Sequence, residues 1–170
     1  MNTLEWVGLL TIGIASVIYL AFWVYDKRKI STYIKQNKSA SETNSLQLQA
    51  YERLVILSDR IALHNLLYRI PSENLSAQQY QKLLTETIRQ EFDYNISQQL
   101  YITIPVWEAI TNLKEQNIYI IHQVAQTLPL HSKGSELSKR ILELLQTDPN
   151  VSLHNVVVDA IRFEVKKLMI

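Results

Sequence analysis

Residues 46–70 read LQLQAYERLVILSDRIALHNLLYRI, a pattern from which the fold class of the chain can be argued. Apolar or aromatic positions recur there at spacings of three and four, which places them on one face of a helix. These positions are Ala50, Leu54, Leu57, Ile61 and Tyr68, with His64 at the missing step. Val55, Ala62 and Leu66 widen the stripe, so we expect the helix to bury against more than one neighbour. Pro71 ends it.

The next segment also reads as a helix. Ser76, with Gln79 three residues later, makes the capping box that commonly begins a helix. Its apolar face is predicted to contain Tyr80, Leu83, Leu84, Ile88, Phe92, Ile96 and Leu100. Residues 101–105 alternate like a short strand, but no partner strand is evident, so a tight connection is the preferred interpretation.

Three further helices complete the chain. Thr103 is expected to cap the third helix and Pro105 to lie in its first turn. Asn117 falls in the middle of that helix's apolar stripe, where a lone Asn usually sets register. A fourth helix is predicted to stop at Asp148, and a fifth to start at Ser152. Only 3 glycines and 4 prolines occur in 170 residues, which disfavours sheets with tight hairpins.

The region before residue 46 has a different character. Residues 6–25, WVGLLTIGIASVIYLAFWVY, contain no charge and no proline, and as a helix they would span about 30 Å, the thickness of a bilayer core. Lys27, Arg28 and Lys29 follow directly, which by the positive-inside rule keeps the carboxyl side in the cytoplasm. These basic residues could also contact lipid headgroups.

The predicted fold class is therefore all-α: one amino-terminal transmembrane helix followed by a bundle of about four to five helices. Residues 1–29 form the anchor with its basic flank, 30–45 a juxtamembrane linker, and 46–170 a cytoplasmic helical domain. The predicted location is the bacterial inner membrane, with a single pass and the amino terminus outside. Residues 46–170 carry 12 Lys and Arg against 13 Asp and Glu, so bulk charge gives no reason to expect a nucleic-acid partner.

A polar cluster with interspersed aromatics is the candidate site. It is either a partner-binding face or a polar layer between helices, and the polar layer is the preferred interpretation. Its residues are Tyr51, Glu52, Arg53, Arg89, Glu91, Asp93, Asn95, Gln98 and Gln99. The carboxylates Glu86, Glu91, Asp93 and Glu108 are equally suited to pair with Arg53, Arg60 and Arg89.

Motifs for catalysis are absent from the sequence. The chain has no cysteine, and its four histidines show none of the spacings that align metal ligands on one helix face. Nucleophile elbows, phosphate-binding glycine loops and dinucleotide fingerprints are missing as well. We therefore predict no catalytic residue, no metal and no cofactor, and a non-enzymatic role is favoured.

Two segments resemble a known family. Residues 46–55, LQLQAYERLV, and 88–101, IRQEFDYNISQQLY, are similar to the LQAYERL and RxEFEHNLSQQ(I/L)YV segments of an uncharacterised Bacteroidetes family of small membrane-anchored proteins. Trp107 and residues 136–139 and 162–168 resemble its later landmarks. The resemblance implies an inner-membrane location and an all-helical cytoplasmic domain. Members commonly have histidine at the position of Tyr94, which argues against a catalytic role for this residue.

Two functions follow as expectations. The first is a membrane-anchored interaction or scaffold protein whose helical domain docks a protein partner or forms a homo-oligomer. The second is a membrane-tethered enzyme or small-ligand sensor with a polar pocket between helices, built from Glu91, Asp93, Tyr94 and Asn95 or from the histidines. Neither the partner nor a small-molecule ligand is identified by the sequence.

Overall fold

A computed structural model describes residues 23, 25, 27–29, 42–148 and 152–169. From residue 42 onward, the described residues form six α-helices and one 3-10 helix. They are α1 (residues 42–61), α2 (Leu63–Arg69), α3 (Ala77–Tyr94), the 3-10 helix Ile96–Leu100, α4 (Ile104–Gln126), α5 (Gly134–Thr147) and α6 (His154–Leu168). The predicted all-helical class is confirmed for this part of the chain.

The predicted fold class is wrong in its transmembrane part. Among the residues that the structure describes, no helix combines the length and the apolar character needed to cross a bilayer. The transmembrane helix is therefore not supported as an element of the fold. The predicted span 6–25 lies outside the described residues except for Trp23 and Tyr25, which are exposed.

The basic flank and the predicted linker are described only in part. Lys27, Arg28 and Lys29 are exposed positions, and Lys27 Nζ lies 4.2 Å from the centroid of the Trp23 ring. Residues 30–41 lie outside the described part, while 42–45 are already helical. The chain divides into two units after Ser45, and the unit Leu46–Ile170 holds the core.

The helices begin and end largely where short-range signals place them. Ser76 Oγ accepts from the Gln79 N–H, and Gln79 Oε1 accepts from the Ser76 N–H, so the predicted capping box is present. Thr103 is the N-cap of α4, as predicted, but its buried Oγ1 has no hydrogen-bond partner among the described residues. The helix predicted from Ser76 to Leu100 ends earlier, because Asn95 leaves the helical conformation.

A break at Ala62 separates α1 from α2 and was not predicted. Its ψ of 127° takes the backbone out of the helix, although its N–H still donates to Ser58 O at 2.9 Å. In a continuous helix the carbonyls of Asp59, Arg60 and Ile61 would accept from the amides four residues on. Here each accepts from a side chain instead, at 2.8–3.1 Å. The donors are Asn65 to Asp59, Arg69 to Arg60 and Asn117 to Ile61.

This break turns the apolar stripe of the segment. Leu63, Leu66 and Leu67 are the buried residues of α2, whereas His64 is exposed and Tyr68 is 93 % exposed. The predicted places of His64 and Tyr68 on the buried stripe are therefore wrong. No proline or glycine causes the break; side chains entering the hydrogen-bond ladder maintain it.

The core lies between α1, α3, α4 and α5. Helix α3 packs against α4 and α5, while α4 also packs against α5 and α6. Each fully buried aliphatic side chain contributes about 1.5–3 kcal/mol relative to exposure. The largest buried side chains are Leu54, Leu57, Ile61, Leu63, Leu66, Tyr80, Leu84, Ile88, Ile110, Leu113, Ile121 and Leu137.

The two connections that precede α3 and α5 meet at one end of the bundle. Ser76 and Lys133 form an isolated antiparallel bridge. The Ala77 N–H donates to Ser132 O at 2.9 Å, and the Gly134 N–H donates to Leu75 O at 2.8 Å. Helices α3 and α5 therefore start side by side.

Candidate functional site

A depression between α1 and α3 contains part of the predicted polar cluster. Its volume is about 630 Å³. Residues spaced three and seven positions apart on α1 face the carboxyl-terminal turn of α3, because these spacings share one helical face. The lining residues are Arg53, Ile56, Arg60, Glu91, Tyr94 and Asn95.

Glu91 holds two arginines across three helices. Arg60 donates from Nε to Oε2 at 2.7 Å and from Nη2 to Oε1 at 2.6 Å. Arg69 of α2 donates from Nη1 to Oε1 at 3.2 Å and from Nη2 to Arg60 O at 3.1 Å. The fork of Arg60 matches the carboxylate geometry, so the cluster fixes α1, α2 and α3 together.

The ionisation of this cluster follows from the same bonds. The hydrogen bond from Arg60 lowers the pKa of Glu91 below its ordinary value of 4.5, although partial burial acts in the opposite direction. The pKa of Arg60 is raised, chiefly by its hydrogen bond to Glu91. Both groups are therefore charged at neutral pH, and the pair is a fixed feature of the surface.

Large side chains stand exposed beside these charges. Ile56 is 58 % exposed and Tyr94 is 79 % exposed. Arg53 is also exposed and makes no ion pair with any residue in 42–148 or 152–169. The depression thus combines two uncovered hydrophobic side chains, one unpaired guanidinium and one rigid charge cluster.

The structure divides the nine predicted site residues into three groups. Arg53, Glu91 and Asn95 line the depression. Tyr51 and Gln98 are buried elsewhere in the bundle, and the remaining four side chains are exposed but do not line it. Those four are Glu52, Arg89, Asp93 and Gln99.

The buried members hold the bundle together. Tyr51 Oη accepts from the Thr103 N–H at 3.4 Å, which ties α1 to the start of α4. Asn95 Nδ2 donates to Glu91 O at 2.9 Å and closes the end of α3. These contacts agree with a structural polar layer for the buried residues and leave Arg53 and Glu91 on the open face.

Three lining residues were not among the predicted site residues. Arg60 was noted only as an ion-pair partner, and Tyr94 only as a member of the alternative enzyme or sensor pocket, whereas Ile56 was not assigned to a site. Ile56 lies three residues after Arg53 and four before Arg60, so the spacing predicts that all three share one face of α1. The spacing does not predict that this face of α1 contacts α3.

The histidines lie apart from this depression. His154 Nε2 lies 2.8 Å from Asp59 Oδ1, linking α6 to α1, and both His154 and His64 line a second cavity of about 420 Å³. His122 Nδ1 bonds Gln81 Nε2 at 2.6 Å. Within the described residues, no group of three or more His, Asp or Glu side chains is placed to hold a metal ion.

Comparison with known proteins gives one result. Residues 3–168 match the model of a family of unknown function, DUF7935. No curated protein and no solved structure matches the chain. The match confirms the predicted resemblance to an uncharacterised family, and it covers nearly the whole chain.

Proposed function

We propose, for a chain that belongs to the family of unknown function DUF7935, that the helical domain is a protein-interaction module. The docking face is the α1–α3 depression. The observation that carries this proposal is the exposure of Ile56 and Tyr94 beside the Arg60–Glu91–Arg69 cluster. We call these residues, with Arg53, the α1–α3 face.

The composition of the α1–α3 face favours binding of a protein. Tyrosine and arginine dominate the binding energy of protein interfaces, and charged cores without aromatics are uncommon there. Tyr94 offers a large contact area with few rotatable bonds. Arg60 and Arg69 are already held by Glu91, so less side-chain entropy is lost when a partner binds.

Exposed apolar side chains continue along the chain after Tyr94. Ile96 is 48 % and Leu100 76 % exposed, contrary to their predicted place on a buried face. The helical stripe of α3 ends at Tyr94, and the 3-10 helix turns both residues outward. These two exposed apolar side chains follow Tyr94 within six residues of the chain, and uncovered apolar surface of this kind supports the proposal.

The test is site-specific photocrosslinking in living cells with the full-length chain. A benzophenone amino acid replaces Tyr94 in one variant and Tyr119 in another, since Tyr119 is a tyrosine of α4 that is 63 % exposed. We expect a discrete crosslinked protein at Tyr94 only, and its loss when Ile56→Asp is added. Equal crosslinking at both sites, or none at Tyr94, contradicts the proposal.

The alternative, an enzyme or small-ligand sensor, stays a prediction. Glu91 is poorly suited to act as a base in such a site, because two guanidinium groups hold it and its pKa is lowered. The cavity lined by His64 and His154 is one candidate for such a site. A ligand screen by thermal shift, compared with a His154→Gln variant, would detect such a site.

Two finer expectations also stay predictions. The location at the inner membrane and the Bacteroidetes origin of the family are not part of the family match. The proposed docking face does not depend on either.

A further inference from the structure

We infer that the partner segment docked on the α1–α3 face is acidic, an inference that rests on the proposed function. Arg60 and Arg69 both contact the Glu91 carboxylate, and Arg53 lines the same depression, so the face has three positive charges and one negative charge. The face is therefore positive on a domain whose overall balance is −1.

Hydrogen-bonding capacity is left over on the same residues. The side chains of Arg60 and Arg69 are 50 % and 35 % exposed despite their bonds to Glu91. Arg53 has five N–H donors and no ion pair within the described residues. A carboxylate of a partner can take a bidentate position on Arg53 without displacing Glu91.

The neighbouring acidic residues do not cancel this charge within the depression. Glu52 and Asp93 are exposed but do not line it, and Asp59 is engaged with His154 on the α6 side. The charge within the depression is therefore positive, which favours an acidic partner segment.

The apolar residues of the face indicate which kind of side chain lies beside the partner's carboxylate. Ile56 on α1 and Tyr94 on α3 line the same depression as Arg53. A partner that covers all three must place a large apolar side chain beside its acidic group. The expected ligand is a peptide segment of another protein in which Asp or Glu lies next to an aliphatic or aromatic residue.

The experiment selects binders from a random 12-residue peptide library displayed on phage, with the full-length protein as bait. We expect enrichment of Asp or Glu adjacent to a large apolar residue. A synthetic peptide of the leading sequence should lose affinity by about tenfold with Arg53→Ala, a typical cost of removing one interfacial charge pair. Its binding should also weaken as salt is raised.

Matched variants decide what each result means. Arg53→Glu should reject the acidic peptide, while Lys139→Glu on α5 makes the same charge change on a side chain that is 78 % exposed and should bind as wild type. Circular dichroism of each variant verifies that it is folded.

Three kinds of outcome overturn the inference, and the last of them also overturns the proposed function. Neutral or basic peptides that still require Tyr94 and Ile56 show that the face docks proteins but not acidic ones. Equal binding of a 20-base-pair DNA duplex, with the same dependence on Arg53, likewise removes the acidic protein as partner. Peptides insensitive to Tyr94→Ala and Ile56→Asp, or no enrichment at all, remove the proposed function itself.

Discussion

Glu91 belongs to the proposed site and also takes part in the contacts that hold the described helices together. One carboxylate accepts hydrogen bonds from Arg60 of α1 and Arg69 of α2 while it belongs to α3. Its side chain is only 15 % exposed, so solvent screens these bonds less than it screens a surface pair. The same contacts that prepare the α1–α3 face therefore also stabilise the fold.

Replacing Glu91 with Gln should lower the free energy of unfolding at pH 7 by about 1–2 kcal/mol, because the three charge-assisted hydrogen bonds from Arg60 and Arg69 weaken. Urea denaturation of both proteins measures the difference. The pair Lys82–Glu86 is the control, since it joins two exposed side chains at 3.7 Å. Glu86→Gln should change stability by less than about 0.5 kcal/mol.

The effect of Glu91→Gln should depend on pH with a definite sign. The folded-state pKa of Glu91 lies below its ordinary value of 4.5, so the unfolded chain takes up the proton more readily. Its contribution is fully present above that ordinary value and is lost as the pH falls through the folded-state pKa. A difference between the two proteins that grows on acidification would contradict this account.

At the scale of the helices, the break at Ala62 is the feature that the sequence gives no reason to expect. Asn117 is completely buried, and its Nδ2 donates to Ile61 O at 2.8 Å. Its Oδ1 has no hydrogen-bond partner among the residues that the structure describes. One buried amide thus satisfies one freed carbonyl and leaves its own acceptor unpaired.

Asn117→Leu should destabilise the protein by about 1–2 kcal/mol, since it leaves Ile61 O buried and unpaired while removing the unpaired Oδ1. Relative to wild type, amide hydrogen exchange in the variant should be accelerated more in α2 than in α5. If instead the variant were as stable as wild type and more helical, α1 and α2 would have joined, and Asn117 would not be what maintains the break.

Gly134 sets how closely α3 and α5 begin. A Cβ at this position would lie 3.0 Å from Ser72 O and 3.0 Å from Tyr80 Cβ. We expect Gly134→Ala to destabilise by about 1–3 kcal/mol through overpacking, which outweighs a gain in helix propensity of at most about 1 kcal/mol. Thermal unfolding measures it. Ser135→Ala, at the next and exposed position, should stay within about 0.5 kcal/mol of wild type.

Local sequence signals predicted the helices well where the determinants are local. The capping box of Ser76 and Gln79 and the proline in the first turn of α4 lie within one turn of the helix ends they mark. The Ala62 break depends on Asn117, which is far along the chain, so periodicity alone misplaced Tyr68. Of the predicted polar cluster, Arg53, Glu91 and Asn95 line one depression. Spacing within one helix could not predict this, because it depends on the contact between α1 and α3.

The helical domain formed by residues 46–170 should fold without residues 1–45. The core residues from Tyr51 to Leu168 all lie in the unit Leu46–Ile170. We expect this fragment to show a helical circular dichroism spectrum and one cooperative urea transition. A broad transition, or different midpoints by fluorescence and circular dichroism, would mean that the first 45 residues contribute to its stability.

The bridge between Ser76 and Lys133 has a consequence for the order of folding. The whole of α3 and α4 lies between these two residues, so the hydrogen bonds of Ala77 and Gly134 can form only after the intervening chain has turned back on itself. Closing so large a loop costs entropy that the helices alone do not recover. We therefore expect the bridge to form late, so that exchange protection of its two amides would report completed folding.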